Sequence, residues 1–484
     1  FFCAMAMAKT NNSVKSTLLQ WRQSIHSNSP RKIRASTFRN VLLALTVLSI
    51  ALWLRFALLM DSAGDDRRTN YSQDQAKIST ISKNAKVPQH KKQTIPQNLI
   101  PKKSSTPKAT VAYAVSLTSC GHTGSRSDPN LHEGAAVLQH SIYLSSHSNP
   151  ASTSKYAHKL FAFVHPEAGK CSDIFSRLGY EVQIHDTPFN VSDIRGQFLK
   201  EHIVKSGCCG EKEYLKLYAY TLLDYPIVVH LDLDSLVLKP LDDLFDVMME
   251  SVDGLTDEGA VARSRIPVMF AEPIPKQVDA FFTRDYNMIN PGHKHVGVQG
   301  GFLVVRPSLA AFEEYVSIVL EGNFKQGNGW GAKGYGGYFG AQQIQGICSY
   351  YYDYKHPVTA VELNRCYYNA MVDSPRQESS NKCRDGRPTC QDCRETPVDQ
   401  IKSVHFTLCQ KPWNCPQWTG LSDATKQLCR SLHAEWFRIR DDLEKSIAIK
   451  HGAVLSKPSG QLMPEVFHGY CKERGGYIPI RVNY

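Results

Sequence analysis

The first 110 residues of this 484-residue chain contain very few acidic side chains. They hold 4 Asp and Glu beside 18 Lys and Arg, a net charge of +14, whereas the rest of the chain has 38 basic and 41 acidic side chains, a net charge of −3. The overall charge of +11 therefore belongs to the N-terminal segment. A nucleic-acid-binding protein needs basic residues on the folded surface that meets phosphate, so the near-neutral remainder argues against that class. The chain also lacks an internal repeat.

The N-terminal segment contains one apolar run, residues 41–60, interrupted by Arg55. Its length suits a helix that spans a bilayer. Seven basic and no acidic residues precede it, which predicts a cytoplasmic N-terminus and a lumenal remainder. The run begins too late and is too long for an ordinary cleaved signal peptide, and a transit peptide is the alternative. We therefore predict a basic tail at 1–40, a single-pass type II signal anchor in a Golgi or ER membrane, and a flexible stalk at 61–110.

The cysteines give a second indication of the secretory pathway. The chain has fourteen, and eight of them lie from Cys366 onward. Cys390-x-x-Cys393 is compatible with zinc, but a structural zinc site needs four well-spaced ligands, so disulfides are the favoured interpretation. The pairing stays open at this stage. The adjacent Cys208 and Cys209 are predicted to pair with distant partners rather than with each other.

From residue 111 the sequence alternates short apolar runs with helical stretches. This alternation predicts an α/β fold with a mostly parallel sheet flanked by helices. We assign one domain to 111–420, with a Cys-rich insertion at 366–400, and a Cys-rich C-terminal extension to 421–484. The predicted strands cover 111–117, 159–164, 181–185, 227–231, 298–305 and 403–407, and the predicted helices cover 131–146 and 211–223.

The most informative motif is Asp232-Leu233-Asp234, which directly follows the apolar run 227–231. In an extended backbone, residues two apart point to the same face, so the two carboxylates are expected together. Pro240 then opens a helical pattern, which places the acids at the carboxyl edge of the sheet, where open α/β folds bind ligands. Two neighbouring carboxylates repel each other unless a cation neutralises them. A divalent cation site is therefore predicted, and a solvated Asp-x-Asp turn is the alternative.

Residues 327–340 contain seven glycines separated by aromatic residues. Such a segment has little reason to be rigid. Two interpretations stay open, namely a loop that closes over a ligand and an ordinary surface loop.

Several motifs, in the right order, resemble the glycogenin-like members of glycosyltransferase family 8, which have a GT-A fold and use nucleotide-sugar donors. The resemblance extends from about residue 111 to 413. The matching segments are 113–119, 215–218, 229–238, 241–245, 299–307, 404–406 and 411–413.

The resemblance implies a role for each matching residue. Asp232, Asp234 and His405 would hold the metal, and two carboxylates with an imidazole favour a transition metal such as Mn²⁺ over Ca²⁺. Without the closing motif, His405 on an apolar strand would be read as a core histidine. Lys216 and Lys411 would contact the donor, Lys411 as a point charge on its β-phosphate. The remaining implied donor-binding residues are Leu117, Ser119, Leu233, Gln299, Gly300 and Gly301.

The chain also departs from the family pattern. Ile344 stands where family members commonly have an acid near the sugar, just before the glutamine of the Gln345-Gly346 step. Leu408 replaces a glycine three residues after the histidine, and Gln299 replaces a more usual asparagine. Gln345 is our candidate for a residue beside the sugar, and with Lys216 it completes the predicted catalytic set. No tyrosine matches the site at which glycogenin attaches its first glucose, so self-glucosylation is not inferred.

The resemblance therefore implies a retaining, Mn²⁺-dependent glycosyltransferase. It would move a sugar from a UDP-sugar to a hydroxyl of a glycan or glycoprotein in the secretory pathway. Two alternatives remain. A non-catalytic, membrane-anchored protein that binds nucleotide sugars or glycans on the same fold is favoured by Ile344. A Cys-rich structural or adhesion protein would make the Asp-x-Asp accidental.

Overall fold

The computed structural model describes residues 106–120, 131–250, 257–269, 273–416, 423–450, 471 and 476–478. The predicted tail, the signal anchor at 41–60 and nearly all of the stalk lie outside these residues. Among the residues that are described, no helix is both long and apolar enough to cross a bilayer.

A seven-stranded, mostly parallel sheet forms the centre of the fold. Its strand order is β10-β6-β7-β4-β1-β2-β3, and only β7 runs antiparallel to its neighbours β4 and β6. The strands are β1 Ala109–Leu117, β2 Tyr156–Val164, β3 Glu181–Ile184, β4 Val228–Leu231, β6 Ala280–Arg284, β7 Val298–Val305 and β10 Ala360–Glu362. The predicted mixed α/β fold with a mostly parallel sheet is therefore present.

The central strands are buried along their whole length because both faces of the sheet are covered. All four residues of β4 and all eight of β7 are buried. Helices pack on both faces, as is usual for a sheet of this kind. The α-helices are α1 Leu131–Leu144, α2 Asp173–Arg177, α3 Gln197–His202, α4 Asp242–Met249, α5 Asp257–Arg265, α6 Leu309–Glu321, α7 Ile344–Tyr350 and α8 Ala424–Lys450.

Two apolar cores lie on the two sides of the sheet. One joins the sheet to α1, α2 and α4. The other joins it to α6, α7 and the 3₁₀ helix Gly210–Thr221. The 3₁₀ helix replaces the amphipathic α-helix predicted for 211–223, because its backbone winds more tightly than the apolar spacing suggested. It still buries Tyr214, Leu217 and Tyr220 against the sheet.

A smaller two-stranded sheet stands beside the main one. In it, β5 (Ser235–Val237) pairs antiparallel with β11 (Ser403–His405). The strand predicted at 403–407 therefore exists in shorter form and outside the main sheet. A third apolar core surrounds this pair and includes Trp413 and, from α8, Trp436. The C-terminal helix α8 thus packs directly behind the segment that carries His405.

Five disulfides cross-link the described residues, as the Cys-rich composition predicted. They are Cys120–Cys171, Cys366–Cys393, Cys383–Cys390, Cys409–Cys429 and Cys415–Cys471.

The expectation for Cys208 and Cys209 was wrong. Both are free thiols, and their sulfurs lie 2.8 Å apart on the loop before the 3₁₀ helix. The loop turns so tightly here that each thiol meets its neighbour rather than a distant cysteine.

The glycine-rich segment is more firmly held than its composition suggested. Its strand β9 (Gly329–Trp330) pairs with β8 (Phe324–Lys325), which lies just before the segment. Trp330 and Tyr335 are buried, and the Trp330 indole donates a hydrogen bond to the Ala341 carbonyl at 2.8 Å. The segment therefore has its own apolar anchors.

Candidate metal centre and donor site

The two aspartates lie in a turn at the carboxyl end of β4. The chain leaves the strand at Leu231, and the Ser235 amide donates to the Asp232 carbonyl at 3.0 Å, which closes the turn before β5. Leu233 points into the core between the two acids. The carboxylates therefore come together through a turn anchored by an apolar side chain, and not through the alternation of an extended strand that we predicted.

His405 reaches the same place from the neighbouring strand. In the register of β5 and β11, His405 lies opposite Ser235, and the Phe406 amide donates to the Asp234 carbonyl at 2.9 Å. The His405 Nε2 atom lies 3.2 Å from Asp234 Oδ1 and 3.7 Å from Asp232 Oδ2. One ligand atom from each of the three residues falls within 4.8 Å of the others.

This geometry fits a divalent metal ion. With metal–ligand distances of about 2.1 Å, adjacent ligands of an octahedral ion lie about 3 Å apart. The two measured separations from the imidazole approach this value. A donor set of two carboxylates and one imidazole suits a transition metal better than an ion that prefers oxygen alone.

Gly301 makes room for the cluster. A β-carbon added at this position would lie 2.3 Å from His405 Cε1 and 2.8 Å from Asp232 Oδ2. Both separations are below any normal non-bonded contact. A side chain here would displace the histidine or the aspartate, so glycine is required for the three groups to meet.

Two lysines flank the carboxylates. The Lys216 ammonium lies 2.8 Å from Asp232 Oδ1 and also donates to the Gly300 carbonyl at 3.0 Å. A second carboxylate, Glu213, lies 2.5 Å from it. Lys411 forms an ion pair with Asp234. The site therefore combines cationic side chains with a metal-binding pair of acids, which suits a ligand that carries both a metal ion and negative charge.

The charges of the site determine its protonation. Burial acts to raise the pKa of Asp234, but Lys411 and His405 outweigh it and hold that pKa well below its usual range. Burial likewise opposes the charged form of Lys216, yet Asp232 and Glu213 raise its pKa well above the ordinary value. Asp234 and Lys216 are therefore both ionised at neutral pH.

The predicted donor residues near β1 lie at the same edge of the sheet. Leu117 ends β1, the strand beside β4, and lines a cavity of about 370 Å³ together with Ser119. On the adjacent strand, burial lowers the pKa of His230 to about 3, and its Nε2 atom lies 2.8 Å from the Ser116 hydroxyl. The cavity therefore lies at the end of β1, and the aspartates lie at the end of the neighbouring strand β4.

Gln299 contacts the backbone of its own strand. Its side-chain oxygen accepts a hydrogen bond from the Gly301 amide at 2.6 Å. The side chain thereby holds the backbone of the strand that passes behind His405. The neighbouring Gly300 lies directly beside Lys216, and a donor contact of Gln299 stays a prediction.

Ile344 and Gln345, the two residues discussed above for the sugar end of the site, lie at the N-terminus of α7. A β-carbon on Gly300 would lie 3.3 Å from Ile344 Cγ2 and 3.6 Å from Lys216 Nζ, so the fully buried Ile344 side chain packs against Gly300 beside Lys216. Gln345 turns instead toward Gly340 of the glycine-rich segment, and its side-chain oxygen is buried with no hydrogen-bond partner.

Asp285 is a residue that the sequence reasoning missed. It follows β6 directly, just as Asp232 follows β4, and its carboxyl is buried. Burial and the nearby Asp373 raise its pKa to about 6, and the charge of His405 acts against that rise. The buried strand Ala280–Arg284 with an acid directly after it was the available signal, since β4 is also buried and followed by an acid.

The sequence matches no protein-family model and no curated protein. Among solved structures, the chain is similar to mouse xyloside xylosyltransferase 1, with a TM-score of 0.36, 12% identity and coverage of 61% of this chain and 97% of that one. It is also similar to the galactosyltransferase LgtC in complex with donor and acceptor sugar analogues, with a TM-score of 0.32, 12% identity and coverage of 67% and 95%. For the glycosyltransferase GlyE of Streptococcus pneumoniae the TM-score is 0.35, the identity 11% and the coverage 72% and 66%. TM-scores this low do not by themselves assign a function.

Proposed function

We propose that this protein is a Mn²⁺-dependent retaining glycosyltransferase that moves a sugar from a UDP-sugar to a hydroxyl group of a glycan or glycoprotein. The convergence of Asp232, Asp234 and His405 between two lysines carries the proposal. A nucleoside diphosphate needs a divalent cation and further positive charge, and this arrangement offers both. Membership of glycosyltransferase family 8 stays a prediction from the motifs.

The three ligands would hold the metal ion through Asp232 Oδ2, Asp234 Oδ1 and His405 Nε2. When bound, the ion supplies electrostatic stabilisation to the negative charge that develops on the leaving diphosphate. His405 is a buried residue of β11, so its imidazole is held in position by the strand rather than by a mobile loop.

The two lysines act as fixed positive charges for the leaving group. Lys411 now neutralises Asp234, and Lys216 neutralises Asp232. A cation held by the three ligands would add its own charge to that of the lysines. Lys216 is also paired with Glu213 at 2.5 Å, so its ammonium group would stay beside Asp232 and, with that of Lys411, would face phosphate oxygens of the donor. Positive charge aimed at the leaving group lowers the barrier to breaking the sugar–phosphate bond.

The sugar end of the site lacks the acid that the family pattern would put at position 344. Asp285 supplies a carboxyl near His405 instead, from the end of β6. We assign Asp285 to the sugar side because the end of β6 holds it in place. Gln345, in contrast, points toward Gly340. Asp285 would hold a sugar hydroxyl by accepting its proton in a hydrogen bond and so orient the anomeric carbon.

A secretory location is part of the proposal. The five disulfides support it, since such bonds persist in oxidising compartments. The membrane anchor at 41–60 is proposed from the sequence alone.

A screen of UDP-sugars with the purified full-length chain tests the function. We expect release of UDP from at least one donor with Mn²⁺ and none after chelation, and we expect Asp234→Asn to abolish the release. Glucose, galactose, glucuronic acid and xylose donors cover the main candidates. Failure to bind UDP in the presence of Mn²⁺ would refute the proposal.

One observation favours a second candidate, a binding protein that does not catalyse transfer. Ile344 packs an apolar side chain against Gly300 beside Lys216. Such a protein would take up UDP-sugar with Mn²⁺ and leave it intact. Binding measured by calorimetry, together with the absence of UDP release for every donor and acceptor, would favour this function over transfer.

A further inference from the structure

A polar cavity of about 400 Å³ lies beside the turn that follows Asp285. It is formed where the turn after β6, the glycine-rich segment and the Cys-rich insertion meet. Its lining contains amides, one arginine and one histidine but no carboxylate, and consists of Asn287, Met288, Ile289, Asn290, His293, Gly337, Gln377 and Arg384.

The arginine of this cavity has no carboxylate partner. Among the described residues, no acidic oxygen lies within ion-pair distance of the Arg384 guanidinium, and its Nε atom is buried without a hydrogen-bond partner. The neighbouring Arg387 differs, because it pairs with Asp385 at 2.9 Å. A buried N–H without an acceptor is costly, and an arginine fork binds carboxylate or phosphate particularly well. The cavity therefore lacks one thing, an anionic acceptor for Arg384.

The loop that carries Arg384 is held firmly in place. The Cys383–Cys390 disulfide closes it, and the Arg384 amide donates to the Pro375 carbonyl at 2.9 Å. On the other side of the cavity, a β-carbon on Gly386 would lie 2.8 Å from Gly292 Cα, so the two loops pack backbone against backbone. Arg384 is thus positioned before any ligand arrives, which reduces the entropic cost of binding.

Several residues that line the cavity follow Asp285 closely in the sequence, and Asp285 is assigned to the sugar side of the donor site. The 3₁₀ turn Tyr286–Met288 begins at Asp285, and the Asn287 amide donates to the Asp285 carboxyl at 3.2 Å. Asn287 and Met288 line the cavity itself. A group bound there would lie beside the sugar that Asp285 orients, which is where an acceptor must approach.

We propose that this cavity is the acceptor site and that it selects a sugar that carries an oxyanion, a carboxylate, sulfate or phosphate group, through Arg384. The inference rests on the proposed glycosyltransferase function. Arg384 is a specificity residue in this scheme, and His293 and the amides of Asn287 and Gln377 contact the hydroxyl groups.

Matched sugars provide the test. Methyl glucuronoside, methyl glucoside and methyl glucoside 6-phosphate differ only at C6, and their binding to the full-length chain with UDP and Mn²⁺ is measured by saturation-transfer NMR. We expect at least one anionic probe to bind about tenfold or more tightly than the neutral one. Comparison of the carboxylate and phosphate probes identifies the anion. Equal affinity for all three would overturn the proposal.

Arg384→Gln should remove the preference for the anion, and Arg384→Lys should retain part of it. Lys382→Gln is the matched control, because this exposed lysine lies two residues away on the same loop and outside the cavity. A preference that survives Arg384→Gln would overturn the proposal. Thermal unfolding of all three variants verifies that the loop still folds.

The two proposals fail in different ways. If UDP binds with Mn²⁺ but the probes show no difference, the acceptor inference alone is wrong. If UDP does not bind, the glycosyltransferase proposal is wrong, and the acceptor inference falls with it. In transfer assays, Arg384→Gln should raise the KM of the anionic acceptor about tenfold or more and leave the KM of the donor unchanged.

Discussion

The Nε2 atom of His405, the last residue of β11, lies 3.2 Å from Oδ1 of Asp234, which lies in the turn that joins β4 of the main sheet to β5 of the small antiparallel sheet. The pairing of β5 with β11 completes the metal centre. The main sheet positions only the two aspartates. The centre therefore depends on two layers of the fold, and this dependence leads to specific expectations for mutants.

Removal of a ligand should abolish the binding of metal and nucleotide together. We expect Asp234→Asn and His405→Ala to weaken Mn²⁺-dependent UDP binding about 100-fold or more, because two remaining ligands hold the ion poorly. Calorimetric titration of UDP with and without Mn²⁺ measures the effect. Glu181→Gln is the control, since it removes an exposed carboxylate at the start of the edge strand β3 that pairs with Lys159 at 3.1 Å. Retention of Mn²⁺-dependent binding in both ligand variants would contradict the assigned centre.

Gly301→Ala should act like a ligand mutation. The new β-carbon would meet His405 Cε1 at 2.3 Å, so the imidazole must move and Mn²⁺ affinity should fall about tenfold or more. Gly300→Ala is the matched control, because its β-carbon would approach Ile344 Cγ2 no closer than 3.3 Å. Electron paramagnetic resonance of bound Mn²⁺ reports the affinity of both. An equal effect of the two alanines would mean that Gly301 is not a steric requirement of the centre.

Lys411→Met should separate binding of the metal from catalysis. Without the ammonium, Asp234 loses a competing cation, so Mn²⁺ affinity should stay the same or rise. The kcat for transfer should fall about 100-fold or more, as expected when positive charge at a leaving group is removed. Lys355→Met removes a lysine that pairs with Glu314 at 3.7 Å, far from this chemistry, and serves as control. A variant with normal kcat would exclude Lys411 from catalysis.

Asp285→Asn should make the fold more stable at neutral pH. Burial and Asp373 raise the pKa of Asp285 from 3.8 to about 6, so the folded state binds the proton more tightly than the unfolded state. The stability of the native protein therefore falls as pH rises from about 4 to about 6, by at most about 3 kcal/mol. The asparagine variant avoids this loss and should be the more stable protein at pH 7, with the difference vanishing below about pH 4.

Chemical unfolding of both proteins between pH 4 and 8, in the presence of a chelator, measures this difference. Transfer activity should fall in the same variant, because asparagine orients the sugar hydroxyl less well than a carboxylate. A stability difference that is constant across the pH range would show that Asp285 does not titrate as assigned.

Much of the architecture was predictable because burial leaves a clear pattern in the chain. Val298–Val305 is mostly apolar, is buried throughout and forms a strand with the predicted bounds. The short strand at 403–407 was also found, yet its partner was not, since three residues carry no signal for the strand with which they pair. The winding of the 3₁₀ helix Gly210–Thr221 was missed because its apolar spacing also suits an α-helix.

The site residues show the same difference between signals that are local in the sequence and contacts that only the fold creates. Asp232 and Asp234 were evident because two acids after a buried strand are unusual. Asp285 has the same local pattern but stands alone, and only the fold brings its carboxyl near His405. The prediction that Cys208 and Cys209 pair with distant cysteines was wrong. The local geometry of their loop, and not the number of cysteines in the chain, decides which sulfurs meet.

The sequence by itself determined the alternation of strands and helices, the pair of acids directly after β4 and the number of cysteines available for disulfides. These properties depend on the identity and spacing of nearby residues, which local physical chemistry reads directly. The tertiary structure alone decided that a turn joins the two aspartates, that His405 arrives on a separate sheet, and that Arg384 borders a cavity without a carboxylate. Those relationships arise from contacts between distant segments, and such contacts are fixed only when the whole core packs.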